Sequence, residues 1–417
     1  MRFIHAADIH LDSPLQGLEA HEGAPVEEIR EATRRAFTNL IDLALEEKVD
    51  FVLIAGDLYD GDWKDYNTGL FFVGRIGRLA RAGIQTFIVA GNHDAASQIT
   101  RAMPLPANVT LLSAKKPQSI TLARLGVIIH GQSYAARAVN ENLAAYYPQG
   151  DPNYFNIGLL HTSLTGRVGH ENYAPCTLAD LKSKGYDYWA LGHVHQREIV
   201  AEDPWIVYPG NIQGRHIRES GSKGATLVTV EEGRVVEVEE RELDVLRWVV
   251  CPVELSECET REAVYGRVSA ALEKAQSQAE GRILALRLQL QGNCPLHGDL
   301  HARSVLWTEE FRGIATGLGD IWLERVQLAT MRRTLLNEVA GKDTPLADLL
   351  QAVAELEFAG ASLTTLVPDL ASLKTKLPPE LLAEGSVLEG SPECLPELRE
   401  EVKELLIAKL IQHGGEA

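Results

Sequence analysis

Cysteine is scarce and poorly placed for covalent or metal work. Its five copies, Cys176, Cys251, Cys258, Cys294 and Cys394, form an odd, scattered set without a C-x-x-C pair. That excludes a disulfide framework and a structural zinc cluster and leaves reduced packing residues. Long apolar runs are missing too: no stretch approaches the ~18 to 20 apolar residues of a membrane helix. The opening MRFIHAADIH lacks the basic segment and apolar stretch of an export signal, so a soluble, cytosolic chain with no membrane role is expected. Positive charge is also short, 40 basic against 58 acidic side chains, for a net charge of -18. A protein that grips nucleic acid by bulk electrostatics is thereby excluded, and a polyanionic substrate would need local basic groups, bound cations or a partner.

What is present is a globular composition, 45% hydrophobic and 24% charged, over 417 residues, enough for two or three domains. Short runs rich in Val, Ile, Leu and Phe recur in RFIHAAD, DFVLIAGD, QTFIVAGNHD, LGVIIHGQ, NIGLLHTS, DYWALGHVH and WIVYPGN, several separated by helix-like stretches. Strand and crossover in alternation predict a layered α/β domain. Most of these runs end in a small residue and then a polar one. In open α/β sheets ligands bind just beyond the carboxyl ends of strands, where loops converge.

The strand-end residues are Asp8 and His10 (DIH), Asp57 (GD), Asn92 and His93 (GNHD), His161 (LLHTS), and His193 and His195 (GHVH). In an extended segment His193 and His195 would point the same way, toward a common point. Carboxylates, an amide oxygen and imidazoles without thiolates suit two fairly hard divalent ions such as Mn²⁺. Asp57, in a Gly-Asp turn, is the candidate to bridge metals ~3.5 to 4 Å apart. Asp8, His10 and His195 would complete one ion, and Asn92, His161 and His193 the other. His93 is better placed to act on substrate, stabilising the transition state or protonating the leaving oxygen, with Asp94 available to orient it and favour its charged form. Glycines 56, 91 and 192 let the backbone come close to the ions.

Each signal has a plainer reading. A lone strand-end histidine, or a lone GD or DxH, is usually structural; five such elements in order, each after an apolar run, are not. Asp12 and Asp60 are either carboxylates behind the ligands or turn and helix caps. His170 reads as a solvated loop residue, and His5 and His130 as satisfied core histidines. Arg215, His216 and Arg218 in NIQGRHIRE either contact DNA backbone phosphates or form simple salt bridges.

Taken together, DIH, GD, GNHD, the histidine of LLHTS and GHVH resemble the five signature blocks of the calcineurin-like metallophosphoesterases. HAADIHLDSPL, GDLYDGD, HENYAPCTLADL and YPGNIQGRHIRESGSKGATLV are further similar to bacterial SbcD-like DNA repair exonucleases, in particular the YhaO-type branch. The resemblance is strong over residues 1–245 and loose beyond. It implies Asp8, His10, Asp57, Asn92, His161, His193 and His195 as metal ligands and His93 as the catalytic histidine. It also implies a four-layer αββα sandwich, manganese, a DNA substrate, an SbcC-like coiled-coil ATPase partner, and a homodimer formed through helices of the first domain.

Three regions are expected: a catalytic domain over 1–245, a small α+β cap over 246–335, and a helical region over 336–417. The first closes with two strands around an EEG turn in GATLVTVEEGRVVEVEERELD. The last has an amphipathic stripe at Leu398, Val402, Leu405, Leu406 and Leu410 that would dock on a partner or fold back. Two functions of different class remain, a Mn²⁺-dependent DNA nuclease working with an ATPase and a phosphoesterase for small molecules. The chain lacks the VDRG run that protein phosphatases carry after their GD, which favours the first.

Overall fold

The computed structural model describes residues 1–13, 25–60, 66–96, 105–164 and 173–332. His170 and the helical expectation for 336–417 lie outside them. The chain divides into two compact units. One comprises Met1–Cys251, Val268–Gln289 and Glu309–Gln327; the other begins with Pro252–Arg267 and Leu290–Thr308 and continues from Leu328.

The first unit is built on two six-stranded sheets. Strands β1 (Arg2–Ala6), β2 (Phe51–Ala55), β3 (Gln85–Val89) and β4 (Val109–Leu111) run parallel, and the hairpin β11 (Gly224–Glu231) and β12 (Arg234–Glu242) joins β1 antiparallel, in the order β12-β11-β1-β2-β3-β4. The second sheet is ordered β5-β6-β7-β8-β10-β9. Parallel strands β6 (Val127–Gly131), β7 (Phe155–His161), β8 (Tyr188–Gly192) and β10 (Trp205–Tyr208) form its centre, and antiparallel β5 (Gln118–Leu122) and β9 (Glu198–Glu202) its edges. All seven apolar runs read from the sequence are strands. None alternates with polar residues, because the central strands are buried on both faces.

The period of two along each strand divides the core. Phe3, Phe51, Leu53 and Phe87 of the first sheet meet Val127, Ile157, Leu159 and Tyr188 of the second, and Phe3 stacks on Phe51 at 5.1 Å. The intervening residues Ile4, Val52 and Ile54 face outward, onto Phe37, Leu40 and Ile41 of α1 (Val26–Glu46) and Phe72, Ile76 and Leu79 of α2 (Tyr66–Arg81). Helix α1 is amphipathic for this purpose, burying Ile29, Ala32, Ala36, Leu40 and Ala44 at helical spacing, with Glu27 and Glu28 complementing the dipole in its first turn. Behind the second sheet, Trp189 and Leu191 pack with Tyr147 and with Leu181, the latter from α4 (Leu178–Lys182). Helix, sheet, sheet and helix give the four layers.

A third sheet, ordered β13 (Leu246–Glu254), β14 (Ile283–Cys294) and β15 (Ile321–Arg332), accompanies α5 (Arg261–Ser277), α6 (His297–Ala302) and α7 (Ser304–Leu318). Among the described residues, no helix is long and apolar enough to cross a membrane.

Candidate metal centre

Strands β1, β2 and β3 are neighbours in one sheet and β7 and β8 in the other, so their carboxyl ends open on the same rim. A short helix, α3 (Asn92–Ala96), starts directly at the end of β3. Adjacent loops are tied by backbone bonds, Asp8 N donating to Gly56 O at 3.0 Å and His10 N to Asp57 O at 2.9 Å. Four of the expected ligands hold left-handed backbone: Asp8 (φ 50°), His10 (45°), Asp57 (52°) and His193 (105°). Such conformations cost about 1–3 kcal/mol each and cluster where function demands them. Two glycines are fixed by contact: a Cβ at Gly91 would collide with the Asp57 carboxylate and the His161 ring, and one at Gly192 with the Ala55 carbonyl.

The donors converge in two overlapping groups. Ligand atoms of Asp8, His10 and His195 lie within 4.8 Å of one another, as do those of Asp8, Asp57 and His161. His161 donates through Nδ1 to Ala55 O at 2.9 Å, so its Nε2 presents a lone pair, which meets Asn92 Oδ1 at 2.9 Å. Asp57 Oδ2 stands between the groups, 3.5 Å from His161 Nε2 and 3.9 Å from His10 Nε2. On the other side His195 donates through Nδ1 to Glu219 Oε1 at 2.7 Å, leaving its Nε2 toward His10 Nε2 at 3.2 Å and Asp8 Oδ1 at 3.8 Å.

The sequence places His193 and His195 at a common point, but the structure separates them. The left-handed turn at His193 ends the extended backbone, sending the His193 ring to His161 (centroids 5.2 Å apart) and the His195 ring to His10 (5.1 Å).

This donor set fits two divalent cations. Asp8 and Asp57 are only 1% and 2% exposed, and burying two carboxylates side by side costs several kcal/mol unless positive charge balances them. Burial, then the neighbouring Asp57, pushes Asp8 well above the ordinary carboxylate range. Burial draws His10 down to about 3 and lowers His161 as well, so both are neutral imidazoles with a lone pair to give.

His93 lies beside this shell. Its backbone N donates to Asp57 Oδ1 at 2.9 Å, and its ring contacts Asp60, Nδ1 to Oδ1 at 2.7 Å. Burial alone would lower its pKa, but the Asp60 hydrogen bond prevails and raises it, keeping an imidazolium available. Asp94 does not take the part expected of it. Its carboxylate accepts from the backbone N–H groups of Leu58, Tyr59 and Gly91, at 3.1, 2.9 and 3.2 Å, which ties the β2 and β3 loops together. Burial and then nearby Asp57 push it up to about 7. Helical geometry explains the exchange: two consecutive residues of α3 cannot face each other. Asp60, read as either a carboxylate behind the ligands or a cap, is the carboxylate that meets the His93 ring. Asp12 points elsewhere, paired with Arg34 at 2.6 and 2.7 Å and accepting from Thr68 Oγ1.

Sequence reasoning missed Glu219, at the end of the NIQGRHIRE stretch. It is 5% exposed and accepts from His195, from Asn211 Nδ2 (3.0 Å), and from Arg215 through both backbone N (2.7 Å) and Nη2 (3.0 Å). A glutamate that closes a one-turn helix (Ile217–Glu219), far along the chain from His195, carries no spacing signal. The salt-bridge reading of Arg215 is thus realised, while His216 and Arg218 are exposed. All three line a cavity of about 490 Å³ above the centre, as do His93, Arg137 and Lys223. His5 and His130 are satisfied within the core, by Tyr188 and Leu191 and by Ser119 and Asn156.

Comparison with known proteins agrees with this architecture. The family profile described as calcineurin-like phosphoesterase matches residues 1–197, and that of the middle domain of metallophosphoesterase YhaO matches 248–331. The uncharacterized metallophosphoesterase YhaO of Bacillus subtilis is 39% identical over 300 residues, 71% of this chain and 72% of the relative. DNA double-strand break repair proteins Mre11 of Sulfurisphaera tokodaii and Methanopyrus kandleri are 28% and 26% identical, over 60% and 57% of this chain and 64% and 56% of theirs. The chain therefore spans less than two thirds of either Mre11 relative.

Proposed function

Because this chain belongs to the calcineurin-like metallophosphoesterases, in the branch of YhaO, we propose that it is a DNA nuclease hydrolysing phosphodiesters at a pair of divalent cations, preferably Mn²⁺. Asp8, His10 and His195 would hold one ion, Asn92, His161 and His193 the other, and Asp57 would bridge them. The observation that carries the reading is the meeting of His161 Nε2, Asn92 Oδ1 and Asp57 Oδ2 beside the His10 and His195 nitrogens, a set of acceptors that two cations would satisfy together. Bound there, such ions polarise the phosphoryl group and activate water. The chain's own groups do the rest. His93, held through Nδ1 by Asp60, directs its Nε2 proton to the leaving oxygen, and the Asp94 clamp keeps the β2 and β3 loops in register beneath it.

DNA as substrate is supported by the likeness to proteins named for double-strand break repair and by the exposed basic side chains Arg137 and Arg218 lining an otherwise acidic protein's cavity. An SbcC-like ATPase partner docking on residues 336–417, a cap over 246–335 and a homodimer through the α1 and α2 region complete the proposal. Leu70 of α2, 61% exposed, is a side chain such a dimer would cover. Work in the reducing cytoplasm accords with the free thiols of Cys176, Cys251, Cys258 and Cys294. The net charge of -18 favours a second reading, a phosphodiesterase for small phosphoesters. One experiment separates the two: purified protein with Mn²⁺ is given linear DNA, circular DNA and bis(p-nitrophenyl) phosphate, with and without the ATPase. Cleavage of linear DNA supports the nuclease; turnover of the aryl diester alone under every condition rejects it.

A further inference from the structure

Arg215 sits where a phosphate contact would be useful, yet its guanidinium is already committed on both sides. Nη2 donates to Glu219 Oε1 at 3.0 Å, and Nη1 lies 3.7 Å from Asp60 Oδ2 and 3.5 Å from Ser13 Oγ. The side chain is 15% exposed and its two carboxylate partners 6% and 16%. Each of those carboxylates holds a different histidine by a 2.7 Å contact, Glu219 the Nδ1 of His195 and Asp60 the Nδ1 of His93. Ser13 donates to the same Asp60 carboxylate. We infer that Arg215 is a positioning residue: it joins the carboxylate that aims a cation-binding histidine to the carboxylate that aims the proton-donating one, holding both imidazoles in a single register.

The planar guanidinium suits this task because its donors diverge in a fixed fork; a lysine offers one compact charge that reaches one carboxylate at a time. Without the arginine, Glu219 and Asp60 become nearby, mostly buried anions with no shared counter-charge, and each is free to turn its histidine. The inference rests on the reading of the site as a two-cation phosphoesterase centre, but not on DNA as the substrate.

The test uses the full chain carrying Arg215→Lys, with MnCl₂ binding by calorimetry and separate kcat and KM values on bis(p-nitrophenyl) phosphate and on linear duplex DNA. The Mn²⁺ affinity of one of the two sites should fall roughly 10- to 100-fold. Turnover should fall on both substrates and further on DNA, whose leaving alkoxide needs the His93 proton, with KM changed by no more than about two-fold on either, since the loss is in alignment and not in substrate contact. The double variant Arg215→Lys/Asp60→Asn should lose less than the product of the two single losses, because both act through one network. A normal Mn²⁺ isotherm with a rise in KM confined to DNA would make Arg215 a phosphate contact and overturn the inference, as would strictly multiplicative losses. Should the lysine variant lack a cooperative melt, Arg215→Gln decides: weakened Mn²⁺ binding with Glu219 and Asp60 both intact upholds the network, and an unchanged isotherm ends it. Wild-type protein that cleaves the aryl diester but not DNA removes the nuclease reading and leaves this test standing on the aryl diester alone.

Discussion

Replacing His93 by alanine isolates proton delivery from cation binding. The residue's bond to the cation shell is its backbone N–H, 2.9 Å from Asp57 Oδ1, which alanine retains, so both ions should stay. The lost side-chain contact is with Asp60, and the ring is 31% exposed, so the fold should lose no more than about 1 kcal/mol. Turnover is another matter. General acid catalysis is worth roughly 10²- to 10⁴-fold, about 2.7 to 5.4 kcal/mol of barrier. That loss should depend on the leaving group. The alkoxide expelled from DNA requires a proton, whereas p-nitrophenolate departs without one, so bis(p-nitrophenyl) phosphate should lose less than about tenfold while DNA loses the full amount. The assay pairs Mn²⁺ calorimetry with initial rates on the two esters. Departure of either ion from the variant would refute the assignment of His93 outside the cation shell; equal losses on the two esters would refute proton donation.

Asp57→Asn should weaken both ions together, since Oδ2 lies within 4 Å of a nitrogen from each group; a metal titration in which one site keeps its wild-type affinity argues against bridging. Gly192→Ala forces a Cβ into the Ala55 carbonyl, which also accepts from His161 Nδ1 at 2.9 Å. A cost of about 1–3 kcal/mol and weaker Mn²⁺ binding are expected, and an unshifted melting curve would show that the two sheets can move apart freely. Burial draws His5 down to about 3, so the folded chain leaves it neutral where the unfolded chain takes up a proton below pH ~6.5. Stability from this group is therefore complete above pH ~6.5 and is lost at about 1.4 kcal/mol per unit as pH falls toward 3. Urea unfolding in chelator should show wild type losing about 2 kcal/mol more than His5→Gln between pH 7 and pH 5; parallel losses would contradict the assignment.

Much of this was legible in the sequence because the central parallel strands are buried on both faces, and a run such as FVLIA has few other ways to be satisfied. The polar residues that follow those runs fall on the rim by topology alone, which is why the residues of the centre could be named before any geometry. The edge strands were harder. Strand β4 has three residues, β5 is exposed at every second position, and no residue of β4, β5 or β9 is fully buried. The roles of Asp60, Asp94 and Glu219 were not legible either, because proximity in sequence says little about which carboxylate meets a given imidazole. Asp94 adjoins His93 and faces away from it; Asp60 and Glu219 reach their histidines from other loops. Likewise, no pattern announces a φ of 105° at His193, yet with that angle its ring lies against His161.

The division of the proposed cation-binding groups between two sheets bears on how the protein matures. Asp8, His10, Asp57 and Asn92 come from one, and His161, His193 and His195 from the other, so a nascent chain with a single sheet assembled owns only half a chelate. If these groups hold the ions as proposed, metal loading follows the docking of the halves, and the ions would act as a clasp on that seam. Stripping them should lower the melting temperature by an amount set by their concentration relative to Kd, which would make supply of the metal a determinant of how long the protein survives as well as of how fast it works.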